Sequence, residues 1–384
     1  MPGCYNPKPM MNARLLSIRS RAVLLASTLL VAGTGRAAAG PCITATSACT
    51  EWLSVSSSPS SVLAYRSYGL RVRNEQISTA LIIIHGSLRN ADEYFRSGTA
   101  AAFLAGALDH TLIIAPRFAS NARAGAGANC EDSLAAREAS WGCNNANDWS
   151  SGGNGIGTGD RTSFDFVDQL LRELASKKSF PNLKAIVLSG HSGGARFVAR
   201  YQMSNRVHES LQVPITYVAA NAGSYPYLDH LRPTMSAIPA TIAAAAPGFQ
   251  PSMPATPPPP FVPFEDAGNC TAFDAWPYGM KNRTGYAATT PDEQLSKQLV
   301  TRPLVYLLGD YDILPLGGFD ASCPAMAQGP TRLARGLAFS KYVAERGARH
   351  KTLIVPLCGH NARCMFTTDS VLPLLFPDHA AKAQ

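Results

Sequence analysis

The stretch AIVLSGHSGGARFVARY, Ala185 to Tyr201, changes character at its middle. An apolar run of strand type stops at Gly190, passes through His191, Ser192, Gly193 and Gly194, and resumes with helical spacing at Phe197, Val198 and Tyr201. Residues 190 to 194 fit G-x-S-x-G, a pattern in which small neighbours let a strand turn sharply into a helix and lift the serine out of the sheet. A glycine-rich turn without chemistry reads the same way locally. The rest of the chain has to decide between the two.

Working outward, five more apolar runs of strand length appear: Ala80 to Gly86, Thr111 to Phe118, Ile215 to Gly223, Pro303 to Asp310 and Lys351 to Gly359. With Leu183 to Gly190 they are continuously apolar, as strands are when both faces of a parallel sheet are covered. Between them lie helix signals. Thr162 with Asp165 makes a capping pair ahead of Phe164, Val167, Leu170, Leu171 and Leu174, a second helix is predicted from Gly193 or Gly194, and a third from about Thr331 to Arg346. The alternation predicts an α/β layer fold.

A serine hydroxyl is a weak nucleophile at neutral pH. It needs an imidazole base, a carboxylate to orient that base, and donors for the oxyanion. Chain order offers a test, because an elbow serine of this type is followed by an acid and then a histidine, each just past a strand. YLLGDYDILP carries Asp310 and Asp312 at one strand end, and LIVPLCGHNARCMF carries His360 at the last.

On the elbow, the acid and the base, the chain resembles the α/β-hydrolases, specifically secreted serine hydrolases of esterase or lipase type, over roughly residues 80–366. The resemblance implies a mostly parallel central sheet flanked by helices, a Ser192–His360–Asp312 triad, and no cofactor or metal. It favours Asp312 over Asp310 because the family's acid commonly stands three residues after a glycine, here Gly309. The oxyanion donors are expected to be the backbone N–H groups of Gly193 and of Ser87, with Leu88 next, although HGSL departs from the HGGG of many family members. His85 and His191 are expected to pack or hydrogen-bond rather than act as the base.

Two stretches interrupt the rhythm. Residues 121–160, rich in glycine, predict a long ordered loop at a pocket wall. Residues 225–299 predict a long irregular insertion, a cap or a plain surface excursion, because PGFQPSMPATPPPPFVPF forbids regular structure through its middle. Trp149, Tyr225, Tyr227 and Trp276 are candidate pocket aromatics, with ordinary core packing as the competing assignment.

The N-terminus reads as a cleavable export signal over residues 1–39. Arg14, Arg19 and Arg21 precede an apolar run from Ala22 to Val31 that is short for a membrane span, and GRAAAG follows. Removing it takes five basic residues and no acidic one, lowering the net charge from +8 to +3. No basic cluster interleaved with aromatics remains to suggest nucleic acid. The rest, residues 40–384, is expected to be a single secreted or periplasmic domain.

Eight cysteines remain, an even number that reads as disulfides in an exported chain. Short separations favour Cys42 with Cys49, Cys130 with Cys143 and Cys358 with Cys364, leaving Cys270 with Cys323. The absence of CxxC spacing argues against zinc.

Three functions stay open on the sequence: a carboxylic ester hydrolase acting on a small or polymeric ester, a serine peptidase or amidase, and a binding module on the same fold. The resemblance favours the first.

Overall fold

A computed structural model describes residues 40–55, 58–121, 130–143, 146–234 and 258–380. The predicted export signal and the centre of the proline-rich run lie outside them.

Eight strands form the main sheet: β1 (Thr50–Ser54), β2 (Ser61–Arg66), β3 (Thr79–Ile84), β4 (Thr111–Pro116), β5 (Ala185–His191), β6 (Ile215–Ala220), β7 (Leu304–Gly309) and β8 (Lys351–Val355). Their spatial order is β1-β2-β4-β3-β5-β6-β7-β8. The β1–β2 and β2–β4 pairings are antiparallel, and every later pairing is parallel. All six predicted strands are present. β3, β4 and β7 are buried at every position, as their unbroken apolar runs require.

Helices cover both faces. They include α1 (Ala91–Leu104), α2 (Ser163–Ala175), α3 (Gly193–Ser204), α4 (Asp292–Thr301), α5 (Arg332–Ala344) and the short α6 (Ala362–Thr367). Thr162 and Asp165 form the predicted capping box at the start of α2, satisfying amides that the first helical turn leaves free. Thr331 accepts from the Ala334 amide to start α5. The stretch 225–299 is not irregular throughout, because α4 begins inside it and Leu231–Pro233 pairs with Phe261–Pro263. The apolar side of α4 packs into the core through Leu295 and Leu299, both fully buried.

The four cysteine pairs stand as the spacing predicted, Cys42–Cys49, Cys130–Cys143, Cys270–Cys323 and Cys358–Cys364, with Cα separations of 5.5, 6.1, 5.8 and 5.7 Å. Cys270–Cys323 ties the insertion to the loop beyond β7. Among the described residues no helix is long and apolar enough to cross a membrane.

One buried polar cluster fixes α2 against α3. Asp168 accepts from the hydroxyls of Tyr201 and Tyr286, both at 2.6 Å, inside the core. Asp168→Ala leaves two buried hydroxyls without an acceptor and is expected to cost about 2–4 kcal/mol. Denaturant midpoints check this. Asp168→Asn, which keeps an acceptor oxygen, should lose clearly less.

Candidate active site

Parallel strands bring their C-terminal ends to one edge of the sheet, which is where open α/β sheets hold ligands. Ser192 follows β5, Asn221 follows β6, Asp312 follows β7, and His360 follows β8. Residues far apart in sequence thus meet at one edge.

The elbow owes its shape to the glycines. Ser192 has φ 59° and ψ −115°, a backbone conformation that L-residues adopt only under strain. A Cβ on Gly190 would stand 2.4 Å from the Gly194 carbonyl carbon, and one on Gly194 would stand 2.2 Å from the Ile84 carbonyl oxygen. Neither position accepts a side chain, so the turn can close directly against β3.

His360 Nε2 lies 2.9 Å from Ser192 Oγ, and His360 Nδ1 lies 2.9 Å from Asp312 Oδ2. A carboxylate accepts only, so Nδ1 carries the proton to Asp312 and Nε2 is left to accept from the serine hydroxyl. Asp312 is buried, and its other oxygen accepts from Arg332 Nη1 at 3.3 Å. The chain therefore brings Ser192, His360 and Asp312 into one hydrogen-bonded line, while Asp310 stays outside it.

Ser87 and Gly193 also meet. The Cβ position of Gly193 is 3.1 Å from the Ser87 amide nitrogen, and among the described residues neither amide is used in a backbone hydrogen bond between elements. Leu88, the alternative donor, is largely exposed but lines the same cleft. The Ser87 amide nitrogen thus lies against Gly193, the residue that follows Ser192.

The supporting contacts were not visible in the sequence. Asn221, held at φ 52°, accepts from the Gly309 amide at 2.8 Å and donates to the Gly359 carbonyl at 3.0 Å. It ties the end of β6 to the loops that carry Asp312 and His360. Arg332 does the same for the acid loop, donating to the Leu316 and Gly317 carbonyls at 2.8 and 3.1 Å.

Both predicted structural histidines are buried beside the site. His85 Nε2 accepts from the Phe118 amide, so Nδ1 carries the proton toward the Gly86 carbonyl, each at 2.9 Å. Burial pushes this ring down to about 3, although the Gly86 contact opposes the shift. His191 lies with its ring centroid 4.5 Å from that of His360 and its Nδ1 3.2 Å from the Tyr94 hydroxyl. Burial, then the neighbouring His360 and Arg332, hold its pKa well below the ordinary histidine value.

These shifts fix a sign. An unfolded chain protonates both rings below about pH 6.5 while the folded chain does not, so acid favours unfolding. The expected loss at pH 5 is about 2 kcal/mol from His85, at about 1.4 kcal/mol per pH unit, and His191 adds to it in the same direction. His208 and His350, lowered by burial, act in the same direction, and Asp168, raised by burial, works against it. Urea midpoints at pH 7 and pH 5 test this. Equal stability at the two values would refute the neutral buried histidines.

An open cleft of about 1270 Å³ contains Ser192 and His360. The described part of residues 225–299 supplies Ala272, Trp276, Pro277 and Tyr278 to its wall, and the loop 121–160 supplies Ala146 and Asp148. Of the four aromatic candidates, only Trp276 lines it. Trp149 packs below the elbow against His85 and Phe118, at centroid distances of 4.6 and 5.9 Å. Tyr225 stacks on Phe339 at 4.7 Å and Tyr227 packs at a tilt against Tyr342 at 4.4 Å, both fully buried. For these three, core packing replaces the expected pocket role, because α5 covers the two tyrosines and the elbow covers the tryptophan.

With its sheet order, elbow and covering helices, the chain has the α/β-hydrolase fold. It is similar to a poly(3-hydroxybutyrate) depolymerase from Bordetella parapertussis, with 20% identity, TM-score 0.50, and 83% of this chain and 85% of that one covered. It is also similar to poly(aspartic acid) hydrolase-1 from Sphingomonas sp. KT-1, with 18% identity, TM-score 0.52, and 85% and 97% covered. No protein-family model and no curated protein matches the chain.

Proposed function

We propose that the protein is a serine hydrolase that cleaves carboxylic esters through an acyl-enzyme. The observation that carries this is the line of hydrogen bonds from Ser192 through His360 to Asp312, opening into a cleft. Ser192 Oγ attacks the ester carbonyl as His360 Nε2 takes its proton, while Asp312 stabilises the imidazolium. The Ser87 and Gly193 amides receive the developing oxyanion. His360 then protonates the departing alkoxide, and water, activated by the same imidazole, releases the acid and restores the serine.

The depolymerase among the similar structures and the open form of the cleft agree with a small or polymeric ester as substrate. Four disulfide pairs fit an oxidising compartment, in keeping with export after removal of residues 1–39. Exported material should begin near Gly40.

The deciding experiment sets short-chain and long-chain 4-nitrophenyl esters beside peptide anilides, with a fluorophosphonate probe of the nucleophile. Ester turnover together with probe attachment at Ser192 supports the proposal. Anilide cleavage without ester cleavage moves the protein to the amidases. A folded protein that neither turns over nor takes up the probe is a binding module.

A further inference from the structure

The cleft holds a cation that acyl transfer does not use. Arg196 stands one helical turn past Ser192 on α3, its amide donating to the Ser192 carbonyl at 3.1 Å, and its side chain lines the cleft. Its Nη2 donates to Ser87 Oγ at 3.3 Å. That oxygen is itself 3.0 Å from the Cβ position of Gly193, so the guanidinium sits within a few atoms of both oxyanion amides.

A guanidinium is permanently charged and offers five donors in a fixed plane. Among the described residues, Arg196 forms no ion pair, whereas Arg302 and Arg332 each pair with a carboxylate. The carboxylates of the cleft are otherwise engaged. Glu93 pairs with Arg96 at 2.7 Å, and Asp148 accepts from the Ser150 and Ser151 hydroxyls at 2.9 Å.

Asp320 is the acid whose charge Arg196 feels. Burial alone would raise its pKa, but Ser322, Arg196, Tyr278 and Arg335 together hold it below the ordinary carboxylate value. Each Asp320 oxygen already accepts a bond, from Tyr278 at 2.7 Å and from the Ser322 amide at 3.0 Å. Its charge offsets part of the field of Arg196 without occupying the remaining donors. Arg363, exposed on the lining and without an ion pair among the described residues, adds a second positive charge.

We propose that Arg196 is a specificity residue for substrates bearing a carboxylate a few bonds from the scissile carbonyl, an anionic acyl group rather than a plain alkyl one. This deepens the ester-hydrolase reading and rests on it. Guanidinium and carboxylate match in a planar, two-point geometry, and the half-buried setting shields the pair from water more than an open surface would. Pairing at Arg196 fixes one end of the acyl group while the Ser87 and Gly193 amides fix the other, which orients the carbonyl toward Ser192.

The test compares mono-4-nitrophenyl adipate with its methyl-capped twin, 4-nitrophenyl methyl adipate, in which a methyl group replaces the charge. Wild type should favour the anionic ester in kcat/KM by about 10-fold or more, as expected of a charge-assisted contact. Added salt should reduce that preference. Arg196→Gln should erase the ratio between the two esters, and Arg196→Lys should retain part of it, with melting curves verifying that both variants fold. No preference in wild type, or a ratio unchanged in Arg196→Gln, overturns the proposal. Equal slowing of both esters does so too, since the guanidinium would then serve only the Ser87 loop. If neither ester is hydrolysed and the fluorophosphonate does not attach to Ser192, the acyl-transfer reading fails and this proposal falls with it.

Discussion

Ser192→Ala is expected to lower kcat on a 4-nitrophenyl ester by about 10⁴-fold or more, because removing the nucleophile of a cooperating triad leaves only binding and the oxyanion donors. The remaining architecture does not depend on the hydroxyl. Among the described residues the hydroxyl bonds to His360 Nε2, at 2.9 Å, and the strained φ of 59° is imposed by β5, α3 and the two flanking glycines. Alanine tolerates that conformation no worse than serine, so the melting temperature should stay close to that of wild type. KM should change little, since the cleft wall and the Ser87 and Gly193 amides are untouched. Fluorophosphonate incorporation, read by intact mass, should disappear. A variant that keeps activity within about ten-fold of wild type would show that acyl transfer does not run through this serine.

The residues of this line were legible because each has a local signature. Ser192 sits in a glycine frame between a strand and a helix. Asp312 and His360 close apolar runs that a parallel sheet buries, and parallel strands necessarily present such ends at one edge. The cysteine pairs were legible from separation alone. The supporting residues depend on contacts with no local pattern. Asn221 reaches Gly309 and Gly359, 88 and 138 residues away, and Arg332 turns back onto a loop whose path depends on β7. The β1–β2 hairpin has no such signature because its strands are only partly buried and carry no unbroken apolar run. Aromatic content was the least reliable guide. Trp149, Tyr225, Tyr227 and Trp276 look alike in sequence, yet only the last faces the cleft, because the side on which a loop aromatic is covered is set by helices elsewhere in the chain.

The choice between the two aspartates after β7 leads to the second large effect. Asp312→Asn should lower kcat by about 10³–10⁴-fold at neutral pH. Asp312 Oδ2 accepts the Nδ1 proton of His360 at 2.9 Å, and this is what leaves Nε2 free to take the serine proton. An asparagine can turn its NH₂ toward Nδ1, which places the imidazole proton on Nε2 and aims it at Ser192 Oγ. The base then has nothing to accept with, and the imidazolium loses its counter-charge. Arg332, paired with Asp312 at 3.3 Å, would at the same time face a neutral amide, so a modest drop in melting temperature should accompany the loss. Asp310 differs in each respect. Its amide donates to the Val355 carbonyl at 3.3 Å, its carboxylate makes no contact with His360, and Oδ1 has no hydrogen-bond partner among the described residues. Asp310→Asn should therefore cost less than about ten-fold, the scale of a change beside the site rather than in it. If Asp310→Asn proved the more damaging of the two, the loop after β7 would have to rearrange when substrate binds, and the acid would be Asp310.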